Sequence, residues 1–100
     1  MTYQQVLDAL GDPTRRSIFE RLAGRPQAVS ELAADLPISR PAVSQHLKVL
    51  KDAGLVIDRP DGNRRIYQVN LEGISSLRSY LDRFWDGALT AFQSAVERHD

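Results

Sequence analysis

Ser39-Arg40-Pro41-Ala42-Val43-Ser44-Gln45-His46-Leu47-Lys48-Val49-Leu50-Lys51-Asp52-Ala53-Gly54-Leu55-Val56 is the stretch whose reading decides the fold. Val43, Leu47 and Leu50 recur at the spacing of one face of an α-helix. Ser39 is a capping residue, and Pro41 is tolerated in the first turn, where its missing N–H has no partner to lose. Gly54 ends the helix, and Leu55-Val56-Ile57 has the apolar, β-branched composition of a strand. With Val43, Leu47 and Leu50 turned inward, Pro41, Gln45, Lys48 and Asp52 point the opposite way, and Ser44 and Lys51 flank them.

Working outward from this helix, Ser30 is placed to cap a preceding one whose Leu32, Ala33 and Leu36 face inward, and Pro37 breaks it. Residues 30–53 therefore read as a helix-turn-helix. Ala33 is small where the two helices approach, and Pro37-Ile38 makes the turn. Tyr3, Val6, Leu7 and Leu10 predict a short amphipathic helix over residues 2–10, stopped by Gly11. Asp12-Pro13 restarts the chain as a second helix with Ile18, Phe19 and Leu22 inside. Downstream, Pro60-Asp61-Gly62-Asn63 is turn chemistry between Leu55–Ile57 and Arg65–Val69, so residues 55–70 read as a β-hairpin wing. From 72 to 98 the pattern is helical again. The order α-α-α-α-β-β-α, mainly α with a small β-hairpin, predicts one winged helix-turn-helix domain over residues 1–100.

Composition narrows the function. A 100-residue chain suits one domain with a modest core, burying about two-thirds of its unfolded surface. There is no cysteine, which removes disulfides, thiolate catalysis, redox switching and cysteine-based zinc sites together. There is no apolar run of membrane-spanning length, and Met1-Thr2-Tyr3-Gln4-Gln5 lacks the features of a signal peptide, so the cytoplasm is the expected compartment. Net charge is zero, but residues 40–65 carry +3, against −1 over 1–39 and −2 over 71–100. The positive end of this neutral chain falls on one compact segment, a local footprint for phosphates.

That footprint lies on the helix from Ser39 and on the hairpin tip. Arg40 sits at the helix N-terminus, the end that enters the major groove in this motif, and suits bidentate pairing with guanine, as Gln45 suits adenine. Ser39 and Ser44 can donate to phosphate or a base edge, and Lys48 and Lys51 suit phosphate. His46 lies roughly 60° from the inner stripe, so it stays open between packing and a DNA contact. On the wing, Arg59, Asn63, Arg64 and Arg65 are placed to follow the backbone or enter the minor groove.

The run 39–56, with Asp12-Pro13-Thr14-Arg15-Arg16 and Glu31-Leu32-Ala33, resembles ArsR-type winged helix-turn-helix transcriptional repressors. The resemblance covers residues 4 to 96. It implies a homodimeric repressor on an imperfect inverted repeat near a promoter, often its own, acting at the nucleoid. The family's base-reading positions fall on Arg40, Pro41, Ser44, Gln45 and His46. Many members hold metals through cysteines on the third helix, where this chain has Ala33, Ala34 and Asp35. Others hold zinc on the C-terminal helix, where this chain has Asp82, Asp86, Glu97 and only His99. No metal or cofactor is expected.

The last helix carries a stripe of Leu77, Leu81, Phe84, Ala88, Phe92 and Ala95, widened by Trp85, Leu89 and Val96. A small domain cannot cover it from one side, so a second copy is expected to pack on it together with Tyr3 and Leu7. Two other functions fit these residues less well. A protein-interaction module on the same scaffold would tend to lose Arg40, Ser44, Gln45, Lys48 and Lys51, which are present. An enzyme would need a partnered nucleophile, a metal cluster or a phosphate-binding glycine loop, and none can be placed.

Overall fold

The computed structural model describes residues 2–98, so Met1, His99 and Asp100 lie outside the described residues. The elements run α1 (Tyr3–Gly11), α2 (Pro13–Gly24), β1 (Gln27–Ala28), α3 (Val29–Asp35), α4 (Arg40–Asp52), β2 (Val56–Asp61), β3 (Arg64–Val69) and α5 (Leu71–Glu97). The four short helices and the wing follow the predicted order. One element was not legible in the sequence: β1 pairs antiparallel with β3, Gln27 opposite Tyr67 and Ala28 opposite Ile66, so the sheet has three strands in the order β1-β3-β2 rather than two.

Local chemistry explains the helix ends. The Asp12 side chain accepts from the Arg15 backbone N–H at 2.9 Å and caps α2. Arg15 and Arg16 turn back onto the end of α1, donating to the carbonyls of Ala9 at 3.3 Å and Leu10 at 2.9 Å. The expected Ser30 cap is corrected: α3 begins at Val29, and the Glu31 carboxylate accepts from the Ala28 N–H at 3.0 Å. Strand β1 delivers the chain in extended form up to Ala28, which leaves Ser30 already inside the first turn. The expected four-residue turn of the wing also tightens. Pairing continues to Asp61 opposite Arg64, and Gly62, at φ 63°, supplies the left-handed conformation of a two-residue turn.

The core gathers around α4. Val43, Leu47 and Leu50 are fully buried, packed with Val6, Ala9, Ile18, Leu22, Leu32, Leu55 and Val56. Truncating a side chain such as Leu47 to alanine there costs about 2–5 kcal/mol. Helix α4 ends in a paired cap: Leu55 N–H donates to the Leu50 carbonyl and Gly54 N–H to the Lys51 carbonyl, with Gly54 at φ 79°. Asn70 then joins this end to α5. Its N–H donates to the Leu55 carbonyl and its Nδ2 to the Gly54 carbonyl, both at 2.9 Å, while its Oδ1 caps α5 by accepting from Glu72 N–H.

Helix α5 has 27 residues and is about 40 Å long. It leaves the domain, and the described chain extends over 66 × 25 × 21 Å. No helix of the described residues is long and apolar enough to cross a membrane.

Candidate nucleic-acid interface

The outer face of α4 follows from its inner one. Pro41, Ser44, Gln45, Lys48, Lys51 and Asp52 are exposed, as are Ser39 and Arg40 at its start. Ser39 Oγ accepts from the Ala42 N–H at 3.3 Å, which leaves its own hydroxyl proton available to a phosphate oxygen. His46 is half-buried on the flank. It stands close enough to Asp12 to assist, behind the Arg15 N–H bond, in holding that carboxyl below its ordinary range.

The wing closes onto the start of this helix. Arg40 shares a cleft of about 350 Å³ with Asn63, Arg64, Arg65 and Tyr67 of the wing and Ser30 of α3. Residues separated by more than twenty positions in the chain are thus on one surface. The short strand β1 makes this possible, because its pairing with β3 fixes the wing beside α3.

The structure also sorts the cations by partner. Arg64 reaches Glu31 at 3.5 Å and Asp61 at 3.7 Å, all three side chains partly solvated. The Ala28 N–H holds the Glu31 carboxyl below its usual range, with Arg64 and Arg25 assisting against desolvation. Lys51 and Arg65 share one carboxylate: Asp58 accepts from Lys51 Nζ at 2.8 Å and from Arg65 Nε at 2.6 Å. Hydrogen bonds from Lys51 and then Arg65 hold the Asp58 carboxyl below its ordinary value. Among the described residues, Arg40, Lys48 and Arg59 have no carboxylate within 4.0 Å. Asp58 was not singled out in the sequence. The signal was the hairpin register: Asp58 and Arg65 are diagonal neighbours on one face of β2 and β3, within reach of a long side chain.

The other end of the molecule is apolar. Leu81, Phe84, Trp85, Ala88, Leu89 and Phe92 of α5 are all exposed, Trp85 and Phe92 at 66% each. Leu7 of α1 is exposed at 43%. Tyr3 stacks on Tyr80 with ring centroids 4.2 Å apart, Phe84 meets Tyr80 edge-on at 4.9 Å, and Arg83 donates to the Tyr3 hydroxyl at 2.9 Å. Leu77 differs from the rest of the expected stripe: it is half-buried against the core of its own domain. Among the described residues, no three His, Asp or Glu side chains converge as metal ligands would.

Comparison with known proteins places these features. Residues 10–59 match the model of a helix-turn-helix domain family. The HTH-type transcriptional regulator Rv2034 of Mycobacterium tuberculosis is 62% identical over 89 residues, covering 89% of this chain and 83% of that protein. The arsenical resistance operon repressor of Staphylococcus xylosus is 33% identical over 85 residues, covering 82% of each. The solved structure of an ArsR-like transcriptional regulator from Rhodococcus sp. RHA1 superposes with a TM-score of 0.78 at 33% identity, covering 91% of this chain and 89% of that one.

Proposed function

Because the chain belongs to the ArsR family of winged helix-turn-helix transcriptional regulators, a non-enzymatic class of DNA-binding proteins, we propose that it represses transcription as a homodimer seated on an inverted-repeat operator near a promoter, its own included. One observation carries the reading. The basic N-terminal face of α4 and the tip of the wing line a single cleft, with Arg40 on one side and Asn63, Arg64 and Arg65 on the other. A helix in the major groove and a β-loop on the adjoining backbone or minor groove fit that arrangement.

The mechanism needs no chemistry on the DNA. Arg40, Ser44 and Gln45 present donors and acceptors at the end of α4 that enters the groove, with Pro41 exposed among them. Ser39, Lys48, Lys51, Arg59, Asn63, Arg64 and Arg65 surround them with groups suited to phosphate and groove edges, with His46 at the flank. The exposed face of α5, with Tyr3 and Leu7, is the surface for a second copy. A two-fold axis there sets two α4 helices about one DNA turn apart, roughly 34 Å. Bound across a promoter, the dimer excludes polymerase. The absence of cysteine leaves no thiolate with which to hold a soft metal or metalloid.

Arg40→Ala and Gln45→Ala are each expected to weaken binding to the preferred duplex by about 1–3 kcal/mol and to relax base preference at one position per half-site. Selection of duplexes from a random library, followed by titration of wild type and both variants, measures this. Unchanged affinity and preference in both variants would remove α4 as the reading element. Arg64→Ala is expected to lower affinity on all sequences alike and to flatten the dependence of log K on log salt by about one. A salt slope equal to that of the wild type would remove the wing from the contact.

A further inference from the structure

Asp58 differs from the other acidic residues beside the basic face. Its side chain is only 6% exposed, whereas Lys51 and Arg65, which it holds at 2.8 and 2.6 Å, are each 52% exposed. The carboxylates near Arg64 lie at 3.5 and 3.7 Å, and their own side chains are 32% and 53% exposed. Asp61 can swing away when phosphate approaches, and Arg64 can leave its long contact with Glu31, whose carboxylate stays on the Ala28 N–H. Asp58 cannot swing away, because it is enclosed between the last turn of α4 and the wing.

Two consequences follow from this geometry. First, the cluster carries one positive charge where its cations alone would carry two. Binding to DNA of any sequence is governed by the charge that displaces counterions, so a fixed carboxylate lowers it. Second, Lys51 belongs to α4 and Arg65 to β3. One carboxylate gripping both ties the reading helix to the wing at the end of α4 remote from Arg40. The Arg65 bond uses Nε, which leaves the outer nitrogens of its guanidinium as donors for a phosphate.

We propose that Asp58 is a specificity-determining residue. It weakens the attraction of this face for arbitrary DNA, and it locks α4 and the wing in the one relative placement that meets the major groove and its neighbour together. The inference rests on the DNA-binding reading above. A wild-type protein that binds selected and shuffled duplexes equally would defeat that reading before any variant is made.

The test uses the full chain and its Asp58→Asn variant. Each is titrated by fluorescence anisotropy against a duplex selected by the wild-type protein and a shuffled duplex of equal length, over a salt series. For Asp58→Asn, affinity for the shuffled duplex is expected to rise about three- to fivefold, with a salt slope steeper by about one. Preference for the selected duplex should fall by about tenfold or more, two lost contacts' worth of register on top of the charge. Unchanged shuffled-duplex affinity and slope would overturn the proposal. So would a parallel loss on both duplexes, which is what a merely structural carboxylate would produce. Should the variant not fold, the wild-type protein supplies the answer by NMR. The Arg65 Nε–H signal should stay protected from solvent exchange in both complexes, and loss of that protection on the shuffled duplex would overturn the proposal.

Discussion

The double substitution Phe84→Ala with Trp85→Ala is expected to leave a folded monomer that no longer holds its operator. Both side chains are largely exposed in the single chain, at 59% and 66%, so the domain core loses nothing that it uses. On the proposed two-fold interface they are the large aromatic anchors, and truncating such anchors costs about 2 kcal/mol or more each. Both protomers carry both changes, so four anchors are lost and the dimer dissociation constant should rise by about three orders of magnitude or more. Operator affinity should fall by about a hundredfold, because two half-sites held by one dimer act at high effective concentration and two monomers do not. Sedimentation gives the mass and circular dichroism the fold. A wild-type chain that sediments as a monomer would remove the inverted-repeat arrangement, and a variant that remains a dimer would move the interface elsewhere.

Gly73→Ala should damage the protein from a position that is not itself among the proposed DNA contacts. Gly73 is buried in the first turn of α5, and a Cβ there would fall inside the van der Waals envelope of the Gly54 carbonyl oxygen. That oxygen is backbone, already held by Asn70 Nδ2 at 2.9 Å, so it cannot turn aside. Helix α5 must move outward instead, at an overpacking cost of about 3 kcal/mol against a gain of about 1 kcal/mol from replacing a helical glycine. The melting temperature should drop by about 8–16 °C for a net loss of about 2 kcal/mol. Operator binding should fall further than this loss explains. The displaced contact joins the end of α4 to the start of α5, and hence the proposed reading helix to the proposed dimer axis. Gly11→Ala is the control, since a Cβ there meets nothing within 4 Å. Equal melting temperatures for the two variants would show that the close approach is unimportant.

Much of the geometry of the candidate interface is legible because it depends on neighbours three or four residues away. The period of Val43, Leu47 and Leu50 separates inside from outside, and Ser39 and Gly54 bound the helix by local hydrogen bonding and backbone freedom. The same holds for Asp12 at the start of α2. Ser30 misled for an instructive reason. Its type suits a cap, but the strand before it already extends to Ala28, and Glu31 satisfies the N–H that needs a partner. Two residues of β1 carry no periodicity of their own, and only their pairing with β3, nearly forty positions later, makes them a strand.

Charge shows the same division. Counting residues places +3 on the segment from 40 to 65, and every cation in that count looks alike. Folding makes them different: Arg40, Lys48 and Arg59 stand apart from carboxylates among the described residues, while Lys51 and Arg65 converge on Asp58. The apolar stripe of α5 divides as well, Leu77 turning into its own domain and Phe84 onward facing outward. The sequence by itself determined the helices, the caps at Asp12 and Ser39 and the two faces of α4, because those depend on atoms joined within a turn of chain. Only the tertiary structure decided which cations are partnered, where β1 pairs and why Gly73 admits no side chain. Each of those depends on segments distant in sequence coming within a few ångströms of one another, a distance that no local pattern encodes.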